Sequence, residues 1–210
     1  MVPATRRPRP PSPRPYHLGR RQAGVDRTRA RILKAARALL MPPGASAFSL
    51  DAVARRARVT RATVYQRFGS RTKLLEALFD DMARQGGMWD LAEAFRQPDP
   101  AEALARFVAT FGRFWTVHRP VVQRLFALSV LDPALERALR ARNEWRRQGL
   151  RQIVRRLHNP SAKDAIDVLF ALTSFHFFDS LAGPDRAPSA VVPDVLRLTR
   201  QVLGLARRQV

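Results

Sequence analysis

Three hydroxyl residues, Ser49, Thr60 and Ser70, stand about one short helix apart, and apolar residues at helical spacing follow each of them. A Ser or Thr side chain can take up the free backbone N–H groups at the start of a helix, so the three read as N-caps. Leu50, Val53 and Ala54 follow the first, Val64 and Phe68 the second, and Leu74, Leu75, Leu78, Phe79 and Met82 the third. The pattern predicts two short helices joined by a tight turn, the second through about Gln66, and a longer helix behind them. Upstream, Ile32, Ala36, Leu39 and Leu40 predict a helix of about four turns from about Asp26, stopped by Pro42-Pro43-Gly44. Two short helices braced by longer neighbours is the helix-turn-helix plan.

Beyond Gly86-Gly87 the helical spacing continues in stripes such as Leu104, Phe107, Phe111, Phe114 and Trp115, then Leu135, Leu139, Trp145, Ile153 and Leu157. Breaks are expected at Pro98-Asp99-Pro100, Arg119-Pro120, Asp132-Pro133, Asn159-Pro160 and Gly183-Pro184. Neither an alternating run nor an Asn-Gly hairpin turn occurs, so the chain reads as all-α without internal repeats. The expected organisation is an arm over residues 1–24, a three-helix helix-turn-helix domain over 25–70 and a helical domain over 71–210.

Charge sharpens this picture. The chain carries 38 Lys and Arg against 17 Asp and Glu, a net +21. The excess is concentrated early: residues 1–25 hold six arginines and no acid, and residues 26–85 hold thirteen cations against five acids. Such a field attracts polyanions, nucleic acid or an acidic membrane surface. The Pro- and Arg-rich start cannot bury enough apolar surface to order itself and reads as a disordered tail or an arm for phosphates or the minor groove. It contains no apolar run of the kind a secretory signal carries, so such a signal is not expected, and the run 168–178, VLFALTSFHFF, is too short to span a bilayer. Cysteine is absent, which removes disulfides, thiolate nucleophiles and cysteine zinc sites. A cytoplasmic protein is the expectation.

The segment VTRATVYQRF, residues 59–68, carries the chemistry. Thr60, Arg61, Ala62, Thr63, Gln66 and Arg67 fall on faces open to solvent, while Val59, Val64 and Phe68 can pack inward. Arg and Gln are the side chains that read guanine and adenine edges with two bonds each, and small Ala62 permits close approach to a base. Thr60, Tyr65 and Arg71 suit phosphate, with the Tyr65 ring expected to be buried and its hydroxyl exposed. The arginines at 137, 140, 142, 146, 147, 151, 155 and 156 read as an exposed helix surface. The four histidines, His17, His118, His158 and His176, have no ligand spacing, and His176 with Asp179 reads as an interfacial pair. No phosphate-binding loop, dinucleotide fingerprint, nucleophile elbow or metalloprotease helix occurs, so no catalytic residues, cofactor or metal are expected.

Residues 28–79 resemble the N-terminal DNA-binding domain of TetR-family transcriptional regulators. The matching features are the Ile32/Ala36 helix, Gly44, Ser49, Val53-Ala54, Val59-Thr60, Tyr65, Phe68 and Arg71 before Leu74-Leu75. The resemblance implies that Ser49, Thr60, Tyr65 and Arg71 hold the DNA backbone, that Arg61, Ala62, Thr63 and Gln66 face the groove, and that Arg67 serves either role. Two positions depart from the family pattern. Arg71 replaces the usual Lys and keeps its charge. Arg58 replaces the usual Gly of the turn, so either it adopts a positive φ at a cost of about 1 kcal/mol or the turn differs from the family's.

Residues 167–183 and 191–205 are similar to the last two helices of these proteins, which implies a homodimer through them. The resemblance further implies a repressor that binds a palindromic operator in double-stranded DNA, is released by a small hydrophobic effector, and is associated with the nucleoid when bound. Phe111, Trp115, His118, Trp145, Phe175 and His176 are the candidate effector-lining residues. Two other readings use the same module: a basic DNA coater of low specificity without an inducer, and a helical small-molecule binder or enzyme.

Overall fold

Every regular element among the described residues is a helix. The structure is a computed structural model and describes residues 18–41, 48–157 and 165–205. The first seventeen residues, the Pro42-Pro43-Gly44 stop, His158 and the Asn159-Pro160 break lie outside that range.

The first helix, α1 (Leu18–Leu40), begins some eight residues before the expected start at Asp26. Arg, Gln and Ala in this stretch are good helix formers, and extending an anchored helix costs little once it is nucleated. Its Ile32, Leu33, Ala36 and Leu40 are buried. Next come α2 (Leu50–Ala57), α3 (Arg61–Phe68) and α4 (Arg71–Gln85). Their N-caps are Ser49, Thr60 and Ser70, whose hydroxyls accept from the backbone N–H groups of Ala52, Thr63 and Lys73 at 3.1 Å each. Helix α4 starts directly at the end of the helix-turn-helix and packs on α1 and α3 as well as on α6 and α7, so no linker separates the two halves.

After a turn of 3-10 helix (Met88–Asp90) follow α5 (Leu91–Arg96), α6 (Pro100–Ser129) and α7 (Pro133–Val154). Both Asp-Pro pairs act as start signals: Asp99 accepts from Ala101 N at 2.9 Å, Asp132 accepts from Ala134 N and Leu135 N at 3.1 Å, and each Pro takes the first helical position. The break expected at Arg119-Pro120 does not occur; α6 runs through Pro120. Trp115, His118, Val121, Val122 and Leu125 are buried on both sides of it, and that continuous packing outweighs the local cost of a proline, which faces solvent here.

The run expected as one late helix is two, α8 (Ile166–Leu172) and α9 (Phe175–Ala182). Ser174 divides them, because its hydroxyl caps the second helix by accepting from Phe177 N at 3.2 Å. The last helix is α10 (Val192–Val202), entered through a 3-10 turn at Pro188–Val191. Helix α6 lies at the centre, against α1, α4, α5, α7, α9 and α10. Arg119 clamps it to the end of α9 through Asp179 Oδ1 at 2.6 Å and the carbonyls of Gly183 and Arg186. No helix among the described residues is long and apolar enough to cross a membrane.

Candidate nucleic-acid interface and aromatic cavity

Helix α3 is held from one side. Val64 is fully buried and Phe68 nearly so, four residues apart on the face turned to the core. The turn before it is a Schellman motif closing α2: Arg58 N donates to Arg55 O at 3.1 Å and Val59 N to Ala54 O at 3.0 Å. The position that such a motif sets in the left-handed region is Arg58, at φ 51 and ψ 50, the first of the two alternatives expected for it. The fixed turn and the two buried side chains set the angle at which α3 leaves the body.

The other side of α3 is open. Thr60, Arg61, Ala62, Gln66 and Arg67 are exposed and Thr63 is partly so. Arg61 makes only a loose, solvent-exposed pair with Asp51 at 3.5 Å, which surface screening renders weak. The Thr60 and Thr63 hydroxyls share a hydrogen bond of 2.8 Å, and Ser49 is partly buried at the start of α2. The Tyr65 ring, expected to be buried, is 62% exposed. Position 65 lies about 100° around the helix from Val64, and Val64 and Phe68 already fill the inward slots. Most of its surface is therefore available to a partner.

Arg71 stands apart from this surface. Its guanidinium donates to Asp132 Oδ2 at 2.5 Å and to the Phe48 carbonyl at 3.2 Å. A side chain expected at phosphate is thus tied to the N-cap of α7, sixty-one residues away. Further along α4, Arg142 of α7 donates to Asp80 Oδ1 at 2.7 Å and to the Glu76 carbonyl. Helix α4 therefore touches α3 at one end and α7 along its length.

Between α4, α5, α6 and α7 lies a cavity of about 190 Å³. Phe79, Phe95, Phe107, Phe111, Phe114 and Trp115 make its aromatic wall, and Arg142, Asn143, Trp145 and Arg146 of α7 its polar side. Of the candidate effector-lining residues, Phe111, Trp115 and Trp145 border it, while His118, Phe175 and His176 do not. His118 is buried at the junction with α1, where its Nδ1 accepts from Arg37 Nη2 at 3.2 Å. Burial, and behind it the Arg37 charge, lowers its pKa to about 4, so the ring is neutral at pH 7. Phe175 packs its ring against Trp115 and Phe126, and His176 is exposed beside Phe126. Asp179 pairs with Arg119 and Gln123. The described residues hold no cluster of three or more side chains able to bind a metal.

The arginines between 137 and 156 do not form one exposed surface. Arg146 is only 5% exposed, Arg142, Arg147 and Arg156 are partly buried, and Arg156 donates to the carbonyls of Phe95, Gln97 and Pro98. The signal was present in the spacing: Leu135, Leu139, Arg142, Arg146, Leu150 and Ile153 form one continuous helical stripe with two arginines at its centre.

Residues 32–78 match the family model for bacterial regulatory proteins of the tetR family. No curated protein sequence matches the chain. Several solved structures share its fold, three of them as follows. A transcriptional regulator from Rhodococcus sp. Rha1 is 19% identical with a TM-score of 0.62, over 82% of this chain and 96% of that one. NalD of Pseudomonas aeruginosa, the secondary repressor of the MexAB-OprM multidrug efflux pump, is 22% identical with a TM-score of 0.61, over 89% and 100%. PfmR, a TetR-family transcriptional regulator from Thermus thermophilus, is 23% identical with a TM-score of 0.56, over 85% and 100%. The chain carries the DNA-binding helix-turn-helix domain of the TetR family of bacterial regulatory proteins, on an all-α body with the fold of solved regulators of that family.

Proposed function

We propose that the protein is a transcriptional repressor that binds a palindromic operator as a homodimer and lets go when a small molecule fills its cavity. The observation that carries this reading is α3, fixed by Val64 and Phe68 on one face while Arg61, Ala62, Tyr65 and Gln66 stand free on the other. In the major groove Arg61 and Gln66 would read base edges, Ala62 and Thr63 would approach them closely, and Ser49, Thr60, Tyr65 and Arg67 would hold the backbone. Two copies of α3 would sit roughly 34–36 Å apart, one turn of DNA. The dimer surface in this reading is α8 to α10, where Val168 and Val202 are exposed and Leu196 is half-buried. The protein would act in the cytoplasm on nucleoid DNA, without catalysis. NalD, named as a repressor, shares the fold and lends support.

The coupling follows from α7, which borders the cavity through Arg142, Asn143 and Arg146 and holds Arg71 through Asp132. Asp132 competes with a phosphate for the Arg71 guanidinium, so an effector that shifts α7 would redistribute the chain between two states of α4. The test is selection from random duplexes with the purified full chain. An enriched inverted repeat, with log K falling by about 0.9 per phosphate neutralised as salt rises, is the expected result. Equal affinity for random and selected duplex would overturn operator recognition.

A further inference from the structure

An arginine on the wall of an aromatic cavity needs a counterion, and Arg146 has none among its hydrogen-bond partners. Its Nη1 donates to two neutral oxygens, Phe170 O at 2.5 Å and Thr173 Oγ1 at 2.6 Å. Its Nε is buried without an acceptor. The Phe170 ring lies 4.0 Å from the guanidinium carbon and Phe111 6.0 Å, which softens the charge without neutralising it. The acids nearby are committed elsewhere: Asp167 and Glu144 pair with Arg147, and Glu144 also with Arg151. A buried guanidinium held only by neutral groups is costly to keep. Its burial, and then the charge of Arg147, pull its pKa down to about 9. At pH 7 it still carries its proton. Arg142, the other cation on the wall, is answered by Asp80.

Size narrows the ligand further. About 190 Å³ is somewhat larger than the roughly 150 Å³ cavity that takes up benzene, so one ring with a small substituent fits. The aromatic rings on the wall favour an aromatic guest by edge and face contacts. We infer that the cavity binds a single-ring aromatic carboxylate, with the ring among Phe107, Phe111, Phe114 and Trp115 and the carboxylate against the guanidinium of Arg146, which lines the same cavity. A carboxylate presents two oxygens to a guanidinium edge and supplies the missing charge at once. The inference rests on the effector reading above and names the chemistry of that effector.

The test is calorimetric titration of the full chain at pH 7.5 with benzoate and salicylate, and with benzamide and salicylamide as neutral counterparts of the same shape. At least one acid should bind, and its amide should bind at least tenfold more weakly. Arg146→Met should erase that preference. Arg146→Lys, which keeps the charge and loses the fork, should weaken the acid at least threefold, and it serves should the Met variant fail to fold. Amides binding as well as acids, a preference that survives in Arg146→Met, unchanged affinity in Arg146→Lys, or binding of neither acid would each overturn the inference. Release of operator DNA is read separately with the same four compounds. Acids that bind but leave DNA in place count against the effector reading alone, whereas release by the amides with no binding of the acids removes the carboxylate inference alone.

Discussion

Helices α3 and α7 are both rich in arginine, and they dispose of it in opposite ways. In α3, Arg61 and Arg67 stay in solvent. In α7, Arg146 is buried and Arg142 and Arg147 are partly so. Residue type does not separate them, nor does angular phase alone. Arg61 lies three residues before Val64 and so near the inward face, yet it belongs to the first turn of an eight-residue helix and its side chain is 69% exposed. Arg142 and Arg146 share the phase of Leu135 and Leu150 in the middle of twenty-two residues, where rings and carbonyls from α4, α6 and α8 close over them. An arginine goes inside when both phase and position along the axis place it under neighbours, and what it meets there decides whether it serves packing or a ligand.

The most damaging change to that contrast is on the apolar side of α3. Phe68→Ala removes a ring that is 6% exposed, stacked under Arg29 at 5.0 Å. A buried Phe→Ala costs about 3–5 kcal/mol. Denaturant unfolding should show that loss, and operator binding should fall with it because the outer face of α3 is no longer aimed. Unaltered DNA affinity in this variant would mean that α3 is positioned by something other than its inward pair.

A buried base that can shed its proton sharpens the comparison next. His118 is inside like Arg146 but sits neutral, with its pKa lowered to about 4 by burial and then by Arg37. The unfolded ring takes up a proton near pH 6.5 and the folded one only near pH 4, so between those values the unfolded chain binds more protons and stability falls as pH falls. The loss is complete below about pH 4 and amounts to about 3 kcal/mol. His118→Gln should remove this component, visible as the difference between the two stability–pH curves from pH 6.5 to 4. Parallel curves would show that the ring accepts its proton inside the fold without penalty.

Much of this was legible beforehand, for local reasons. The caps at Ser49, Thr60 and Ser70 and the inward pair Val64 and Phe68 depend on residues within one helical turn, and spacing reports them directly. Pro120 was misread because a proline in isolation breaks a helix, whereas here the packing of Val121, Val122 and Leu125 carries α6 past it. The tie from Arg71 to Asp132 joins residues far apart in the chain, and no local pattern announces it. Part of the cavity wall was out of reach for the same reason: Phe79 and Phe95 come from α4 and α5 and meet α6 and α7 only in the folded chain. Arg146 is the instructive case, since its phase was readable and its charge argued for the surface.

Outward arginines should matter to DNA and hardly at all to the fold. Arg61→Ala deletes an exposed side chain whose pairing with Asp51 is loose, so the thermal midpoint should move little. Operator affinity should drop by about 1–3 kcal/mol, with relaxed preference at one base pair and a smaller effect on random duplex. A uniform loss across all sequences would reassign Arg61 from base reading to phosphate holding.

The smallest effect belongs to Arg58, an arginine that is neither a buried cation nor part of the α3 surface. Its φ of 51 and ψ of 50 place it in the left-handed region, the sole non-glycine residue with positive φ among the described residues. A side chain there costs roughly 1–2 kcal/mol through the contact of Cβ with the following carbonyl. Glycine removes that contact but loses more chain entropy on folding, which offsets part of the gain. Arg58→Gly should therefore raise stability by about 0.5–1 kcal/mol, read as a higher thermal midpoint. The Schellman bonds from Arg58 and Val59 are backbone bonds and survive the change, so the angle of α3 should be kept. Arg58 is exposed between the two helices, and its cation would also lie near the backbone of a docked duplex. A variant that is more stable yet binds all duplexes somewhat more weakly, with a salt slope reduced by about one phosphate, would show the strained arginine to be retained for its charge. A midpoint unchanged or lower would show that the left-handed turn carries no strain to relieve.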